Sequence, residues 1–346
     1  MTRARAAVLE APRHFRLVGR PEPVAGPDDV VVRVAATAIC HTDLGIYTGT
    51  HPGVRYPVVM GHEATGVVEA TGSVVSGLQA GQPVLINPII ACGHCDSCLR
   101  GAENLCRNAG LFGREIDGSL GQVVSLASRF VHPLPAGLPL ADATLIETLA
   151  TVRHAQQRLA LAEGESVVVL GQGTTGLLHT RLAVLAGANP VIAVSRSRWK
   201  LDMAVDMGAH HAIDAPAKDA VSEVMRLTGG LGADVAVDTV GSEETVIAGI
   251  EMLRPGGRFS AFAVSHACVP SFTTFPLYYK EVSLIGSRAL LPEDMGPSIE
   301  LVASGKVDVS GFVTATYPHD RTPEAFDEYE RNPGRILRIV IASDSG

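Results

Sequence analysis

The sequence predicts an α/β protein made of a doubly wound parallel sheet and a second, irregular, mostly β domain. Three observations point there. From Glu165 to about Arg288, apolar β-branched runs alternate with helical segments. A glycine-rich turn sits where the first of these runs meets the first helix. Residues 1–150 and the tail after Arg288 instead carry short strand signals broken by Gly and Pro.

In the alternating segment the expected strands are Val167–Leu170, Val191–Val194, Ala209–Ile213, Asp234–Thr239, Arg258–Ala263 and Val282–Ile285. Between the first two, Leu178, Leu182 and Leu185 follow helical spacing over Thr174–Ala186, and Gly187 is a natural stop. Arg254-Pro255-Gly256-Gly257 reads as a turn before the fifth strand. Upstream, Val30–Val34, Gly66–Ala70, Pro83–Ile86 and Gly121–Ser125 read as short strands. The tail offers a helix at Met295–Ala303 and a strand at Ile336–Ile341, expected to rejoin the first domain. The expected domains are therefore 1–150 with 289–346, and 151–288.

Composition narrows the partners. With 46% hydrophobic and 18% charged residues the chain can bury large cores. A net charge of −8 argues against nucleic acid or an anionic membrane surface, which require a basic face. The start, MTRARAAVLEAPRHF, has no apolar run long enough for a signal segment, and the most hydrophobic stretch is interrupted by glycines, His179 and Arg181. A cytoplasmic protein is expected.

Val167-Val168-Val169-Leu170-Gly171-Gln172-Gly173-Thr174-Thr175-Gly176 is a strand entering G-x-G-x-x-G and then a helix, the dinucleotide-binding turn of a Rossmann fold. Gly171 permits the tight turn, Gly173 admits a pyrophosphate, and Gly176 lets helix and strand pack closely. In a chain with 36 glycines the motif alone is weak; its place in the alternation strengthens it. An NAD site usually places Asp or Glu about 20 residues further on, on the ribose 2′-hydroxyl. Here Ser195 stands 19 residues after Gly176, followed by Arg196 and Arg198. Serine and guanidinium groups suit a 2′-phosphate, which favours NADP over NAD. The plainer reading, solvated arginines at a helix start, leaves the missing acid unexplained.

Four of the six cysteines, Cys92, Cys95, Cys98 and Cys106, form C-x2-C-x2-C-x7-C, with the lobe around them spanning about residues 88–110. This spacing matches a closed, structural zinc site. An iron–sulfur cluster also accepts four thiolates, but zinc agrees better with the other motifs. A second constellation is Cys40-His41-Thr42-Asp43, Gly61-His62-Glu63 and Glu147. Singly, Cys40 would be an ordinary small buried residue and Glu147 an ordinary acid near a helix start.

With C-H-T-D at 40–43, G-H-E-x-x-G at 61–66, the cysteine lobe, the glycine motif and the C-terminal return, the chain resembles, over essentially its whole length, the zinc-dependent medium-chain dehydrogenase/reductase family. The likeness is to its alcohol, sorbitol and butanediol dehydrogenase branches. The resemblance implies a GroES-like catalytic domain and two Zn2+ per chain. It implies that Cys40, His62 and Glu147 hold the catalytic ion, Glu147 standing where many alcohol dehydrogenases have cysteine. Glu63 is then an exchangeable ligand or a carboxylate behind the ligands. Asp43 would fix the His62 tautomer, and Thr42 would bond the substrate oxygen and start proton release. Thr174, Thr175, Thr151 and His41 join Gly171, Gly173, Gly176, Ser195, Arg196 and Arg198 as expected cofactor contacts. One departure stands out: the family often has histidine five residues after the ligand cysteine, and here that residue is Gly45, with His41 and His51 nearby in sequence.

The expected function is hydride transfer between a small secondary or polyhydric alcohol and NADP, in a homodimer or homotetramer. The alternatives are an NADPH-dependent ketone or aldehyde reductase, the same oxidation with NAD, and a non-catalytic cofactor-binding protein. The last disagrees with the presence of Cys40, His62 and Glu147 together.

Overall fold

Val167–Leu170 is a run of four buried apolar residues, too short for a helix and apolar on both faces, which suits an inner strand. In the computed structural model, which describes residues 3–343, it lies inside a parallel six-stranded sheet. From one edge to the other the order is His211–Asp214, Val191–Ser195, Val167–Leu170, Ala233–Asp238, Leu253–Ala261 and Ser283–Gly286. Apolar faces of the sheet close over two clusters, one around Val168, Ile192, Ala236 and Phe259, the other around Val167, Val169, Ala183 and Val235.

Two details differ from the sequence expectation. The third strand starts at His211 rather than Ala209, because it is an edge strand with exposed residues and little apolar signal at its start. The Arg254–Gly257 turn lies inside a strand, not before it. Ala233 pairs with Leu253, and Val235 next pairs with Arg258, so four residues loop out with Gly256 at φ +73°.

The described residues form two compact units, one running to Ala150 and resuming at Leu290, the other Thr151–Ala289. In the first, a mostly antiparallel seven-stranded sheet has Asp29–Ile39 near its centre. Glu63–Thr71 pairs with one side of this strand and Arg338–Ala342 with the other. The register sets Glu63 opposite Ala38 and Ile339 opposite Ile39. Strand ends from three distant stretches of chain thus meet beside Cys40, the residue that follows Ile39.

Candidate metal and cofactor sites

Cys40 caps the helix His41–Thr48, and Asp43 at the third helical position reaches back so that Oδ2 accepts from the Cys40 backbone N–H at 2.9 Å. The other oxygen, Oδ1, lies 3.2 Å from His62 Nδ1, at an angle skewed from an ideal hydrogen bond. His62 and Glu63 follow Gly61, whose φ of +93° turns the chain inward. A Cβ there would stand 2.7 Å from Ser119 Oγ and Thr37 Cγ2, so only glycine fits.

The ligand atoms of Cys40, His62 and Glu63 lie within 4.8 Å of one another. Glu147 is not in that triplet, although it is buried on the helix Leu145–Leu159 and feels the same charges. Burial first, then the Glu63 charge, push its carboxyl up to about 8, while His62 and Arg338 pull the other way. Burial works against a charged His62 ring, but the Asp43 charge and contact, followed by Cys40, outweigh it and raise its pKa. A thiol, an imidazole and two acids in one buried place have the donor chemistry of a divalent metal site, and a cation would relieve the acid–acid repulsion.

Sequence reasoning missed Arg338. Its guanidinium is buried, Nη1 lies 3.0 Å from Glu63 Oε2, and it donates to Ile39 O at 3.1 Å and Thr148 Oγ1 at 2.9 Å. The available signal was a charge in the middle of the apolar run Ile336–Ile341. Buried Tyr329 was missed too; burial raises its hydroxyl to about 12, and Cys40, Glu63 and Asp43 add to the rise.

In the cysteine lobe all four thiols are free and face one another. The Sγ–Sγ separations are 3.5 Å (Cys95–Cys98, Cys92–Cys106), 3.8 Å (Cys95–Cys106) and 4.0 Å (Cys92–Cys98). A tetrahedron with metal–sulfur bonds of about 2.3 Å has edges of about 3.8 Å, whereas a disulfide needs about 2.05 Å. The spacing suits one ion.

In the other unit, Gly171 has φ +87°, and a Cβ on Gly176 would stand 2.0 Å from Gly171 O. No atom lies within 4 Å of where a Gly173 Cβ would be, leaving room for a ligand at the N-terminus of the helix Thr174–Leu185, whose Gly173 cap offers no side-chain bond. Thr174 is buried and Thr175 half-buried in its first turn. Ser195 ends the second strand and its Oγ accepts from Ser197 N–H at 3.2 Å. Arg196 is exposed; Arg198, also exposed, pairs with Asp202 at 3.1 Å. Thr151 is half-buried on its helix, while in the first unit His41 is exposed and Thr42 half-buried at the start of theirs.

Comparison with known proteins agrees with this architecture. The alcohol dehydrogenase GroES-like domain matches residues 26–136, and the zinc-binding dehydrogenase domain matches 174–304. A sorbitol dehydrogenase of Halalkalibacterium halodurans is 32% identical, covering 95% of each chain. The chain belongs to the zinc-dependent medium-chain dehydrogenase family. This dehydrogenase is also 34% identical to a probable D-xylulose reductase A of Aspergillus clavatus, over 97% of this chain and 95% of that protein. A crystal structure of a zinc-binding dehydrogenase from Sinorhizobium meliloti bound to NADP superposes with a TM-score of 0.91 at 28% identity, covering 99% of this chain and 100% of the other. The dehydrogenase is thus an oxidoreductase with an α/β fold of the GroES-like plus Rossmann type.

Proposed function

We propose that this dehydrogenase oxidises a polyol-type secondary alcohol with NADP, holding one zinc ion with Cys40, His62 and Glu147 and a second with Cys92, Cys95, Cys98 and Cys106. The observation that carries the reading is the convergence of the Cys40, His62 and Glu63 ligand atoms within 4.8 Å, with Glu147 buried in the same field of charges. Thiolate, carboxylate and neutral imidazole together balance a divalent charge. Bound there, zinc supplies a Lewis acid that polarises a substrate oxygen, and the nicotinamide supplies the hydride acceptor.

The protein's own groups do the rest. Asp43 engages His62 Nδ1 and so presents Nε2 as the metal-binding nitrogen. Thr42 Oγ1 would hydrogen-bond the substrate oxygen, where release of the alcohol's proton begins. Gly171, Gly173 and Gly176, with Thr174 and Thr175, cradle the pyrophosphate, and Ser195 with Arg196 and Arg198 takes the 2′-phosphate. Arg198 would leave only an exposed ion pair to do so, worth about 0–1 kcal/mol. Thr151 and His41 complete the cofactor contacts. The same groups serve carbonyl reduction when the reaction runs backward.

The polyol assignment is supported by relatives named for sorbitol and D-xylulose, and the NADP assignment by the absent acid at position 195 together with the NADP-bound neighbour. We place the enzyme in the cytoplasm as a homo-oligomer: its six thiols are unpaired, and among the described residues no helix is long and apolar enough to cross a membrane. Metal analysis together with initial rates on primary, secondary and polyhydric alcohols tests the proposal. Two zinc ions per chain and fastest NADP-linked turnover of polyols are expected. One ion per chain, or no rate on any polyol, defeats it.

A further inference from the structure

The strand order of the cofactor sheet reverses between Val167–Leu170 and Ala233–Asp238: the strands that follow each of these in the chain are added outward on opposite sides. In such sheets a ligand lies in the crevice outside the carboxyl ends of the two strands at the reversal. The register pairs Leu170, the residue before the glycine motif, with Asp238, the last residue of its strand. Asp238 is 1% exposed, and the sites described above do not use it. Its Oδ1 accepts from the Val240 N–H at 2.9 Å and the Gly241 N–H at 3.1 Å, and its Oδ2 from the Thr245 hydroxyl at 3.2 Å. Its main-chain oxygen accepts from the Phe262 N–H at 3.3 Å and the Ala263 N–H at 3.1 Å. One residue thus ties down the loop that leaves its own strand and the loop that leaves the next. The first of these loops leans on the glycine motif. Thr239 Oγ1 donates to Leu170 O at 2.9 Å and lies 3.2 Å from Gly171 O. A Cβ on Gly171 would stand 2.6 Å from Val240 Cγ2 and 2.7 Å from Thr239 Oγ1, so both side chains press on the turn. Val240 remains exposed, an apolar side chain left uncovered beside the turn.

We propose that Asp238 is a positioning residue for the dinucleotide: its carboxylate fixes residues 239–242 as the second wall of the cofactor crevice, and that wall holds the glycine motif in its binding shape. The inference rests on the dinucleotide site assigned above. Two successive N–H groups converging on one carboxylate oxygen set the course of a short loop, and bonds to a carboxylate are stronger than bonds to a neutral acceptor. With its oxygens engaged by the loop and almost no surface of its own, Asp238 acts through Thr239 and Val240 and not by touching the cofactor. A wall held in place before the ligand arrives spares binding the cost of ordering it.

The test is the Kd of NADPH and of NADH, titrated by their fluorescence on the zinc-loaded enzyme, with the KM for a polyol measured at saturating coenzyme. Asp238→Ala removes the acceptor of both N–H groups and should weaken binding of the preferred coenzyme by about tenfold or more, the worth of one or two hydrogen bonds to a charged group. The polyol KM and the zinc content should stay within about twofold of wild type, because neither depends on this loop. Asp238→Asn keeps an oxygen facing the two N–H groups and should bind coenzyme within about threefold of wild type. Thr239→Val keeps the shape but loses the hydroxyl bond to Leu170 O, and should weaken binding by about threefold or more; it decides if Asp238→Ala does not fold. Wild-type coenzyme affinity in Asp238→Ala or in Thr239→Val overturns the proposal. So does an Asp238→Asn as weak as Asp238→Ala, or a polyol KM that rises as far as the coenzyme Kd. A wild-type chain that binds neither NADPH nor NADH instead overturns the dinucleotide site on which the proposal rests.

Discussion

Burial and the Glu63 charge disfavour an ionised Glu147 more than His62 and Arg338 favour it, and a bound cation would reverse that balance. Replacing Glu147 with alanine should leave the melting temperature of metal-free protein unchanged or higher, because an uncompensated carboxyl is removed. Turnover should fall by more than about 100-fold, as expected when a metal's immediate surroundings are broken. Activity near wild type would take Glu147 out of the ligand set. Cofactor choice also lies at this scale. The double change Ser195→Asp and Arg196→Leu should move the ratio of kcat/KM for NADP over NAD toward NAD by about 10- to 100-fold, the value of one or two charge-assisted hydrogen bonds. A wild type that already prefers NAD contradicts the reading of position 195. His179 makes a separate, pH-dependent prediction. It is buried edge-on against Phe262, and burial pushes its pKa down to about 3. The folded state refuses a proton that the unfolded chain accepts near pH 6.5, so stability should fall as pH drops from about 6.5 toward 3, by about 1.4 kcal/mol per unit, and be level above that range. Melting curves of wild type and His179→Gln at pH 7.5 and 5.5 check this; an equal loss in both proteins refutes it.

At the scale of elements, the turn between the glycine-motif strand and its helix is the most constrained piece of the cofactor unit. A methyl on Gly176 would sit 2.0 Å from Gly171 O, so Gly176→Ala must push helix and strand apart. The expected cost is about 1–3 kcal/mol of stability, with dinucleotide affinity, measured by calorimetric titration, reduced at least tenfold. Unchanged affinity would show that the pyrophosphate lies elsewhere. This turn and the inner strands beside it were legible in the sequence because a strand buried on both faces must be apolar throughout, and the glycines stand at the steric contacts that demand them. The edge strand His211–Asp214 and the looped-out Arg254–Gly257 were read less well. Exposed edges carry no continuous apolar signal, and an excursion inside a strand looks locally like a turn between elements.

For the whole molecule, several exposed apolar residues of the cofactor unit lie at or near one sheet edge. Ser283–Gly286 is hydrogen-bonded to a neighbouring strand on one side only, and Leu284 on it is exposed. On the preceding helix Phe275–Lys280, Phe275, Tyr278 and Tyr279 are 63%, 82% and 73% exposed. An open edge with such neighbours invites pairing with a second copy. Light scattering should find a dimer or larger assembly for wild type, and Leu284→Glu should shift it toward monomer; a monomeric wild type would reject this surface as a self-contact. The candidate metal residues show where local reading stopped. Cys40, His62, Glu63 and Glu147 could be picked out from short patterns and family likeness, because each lies in a recognisable local string. Arg338 could not, since its meaning depends on the strand Arg338–Ala342 lying beside Asp29–Ile39 with Glu63 opposite Ala38 on the other flank. By itself the sequence determined the parallel sheet, the dinucleotide turn and the thiol lobe, because periodicity, steric need and ligand spacing are properties of neighbouring residues. Tertiary structure alone decided that the buried acid Glu63 meets the Arg338 guanidinium, because charges far apart in the chain interact only once folding has removed the water between them.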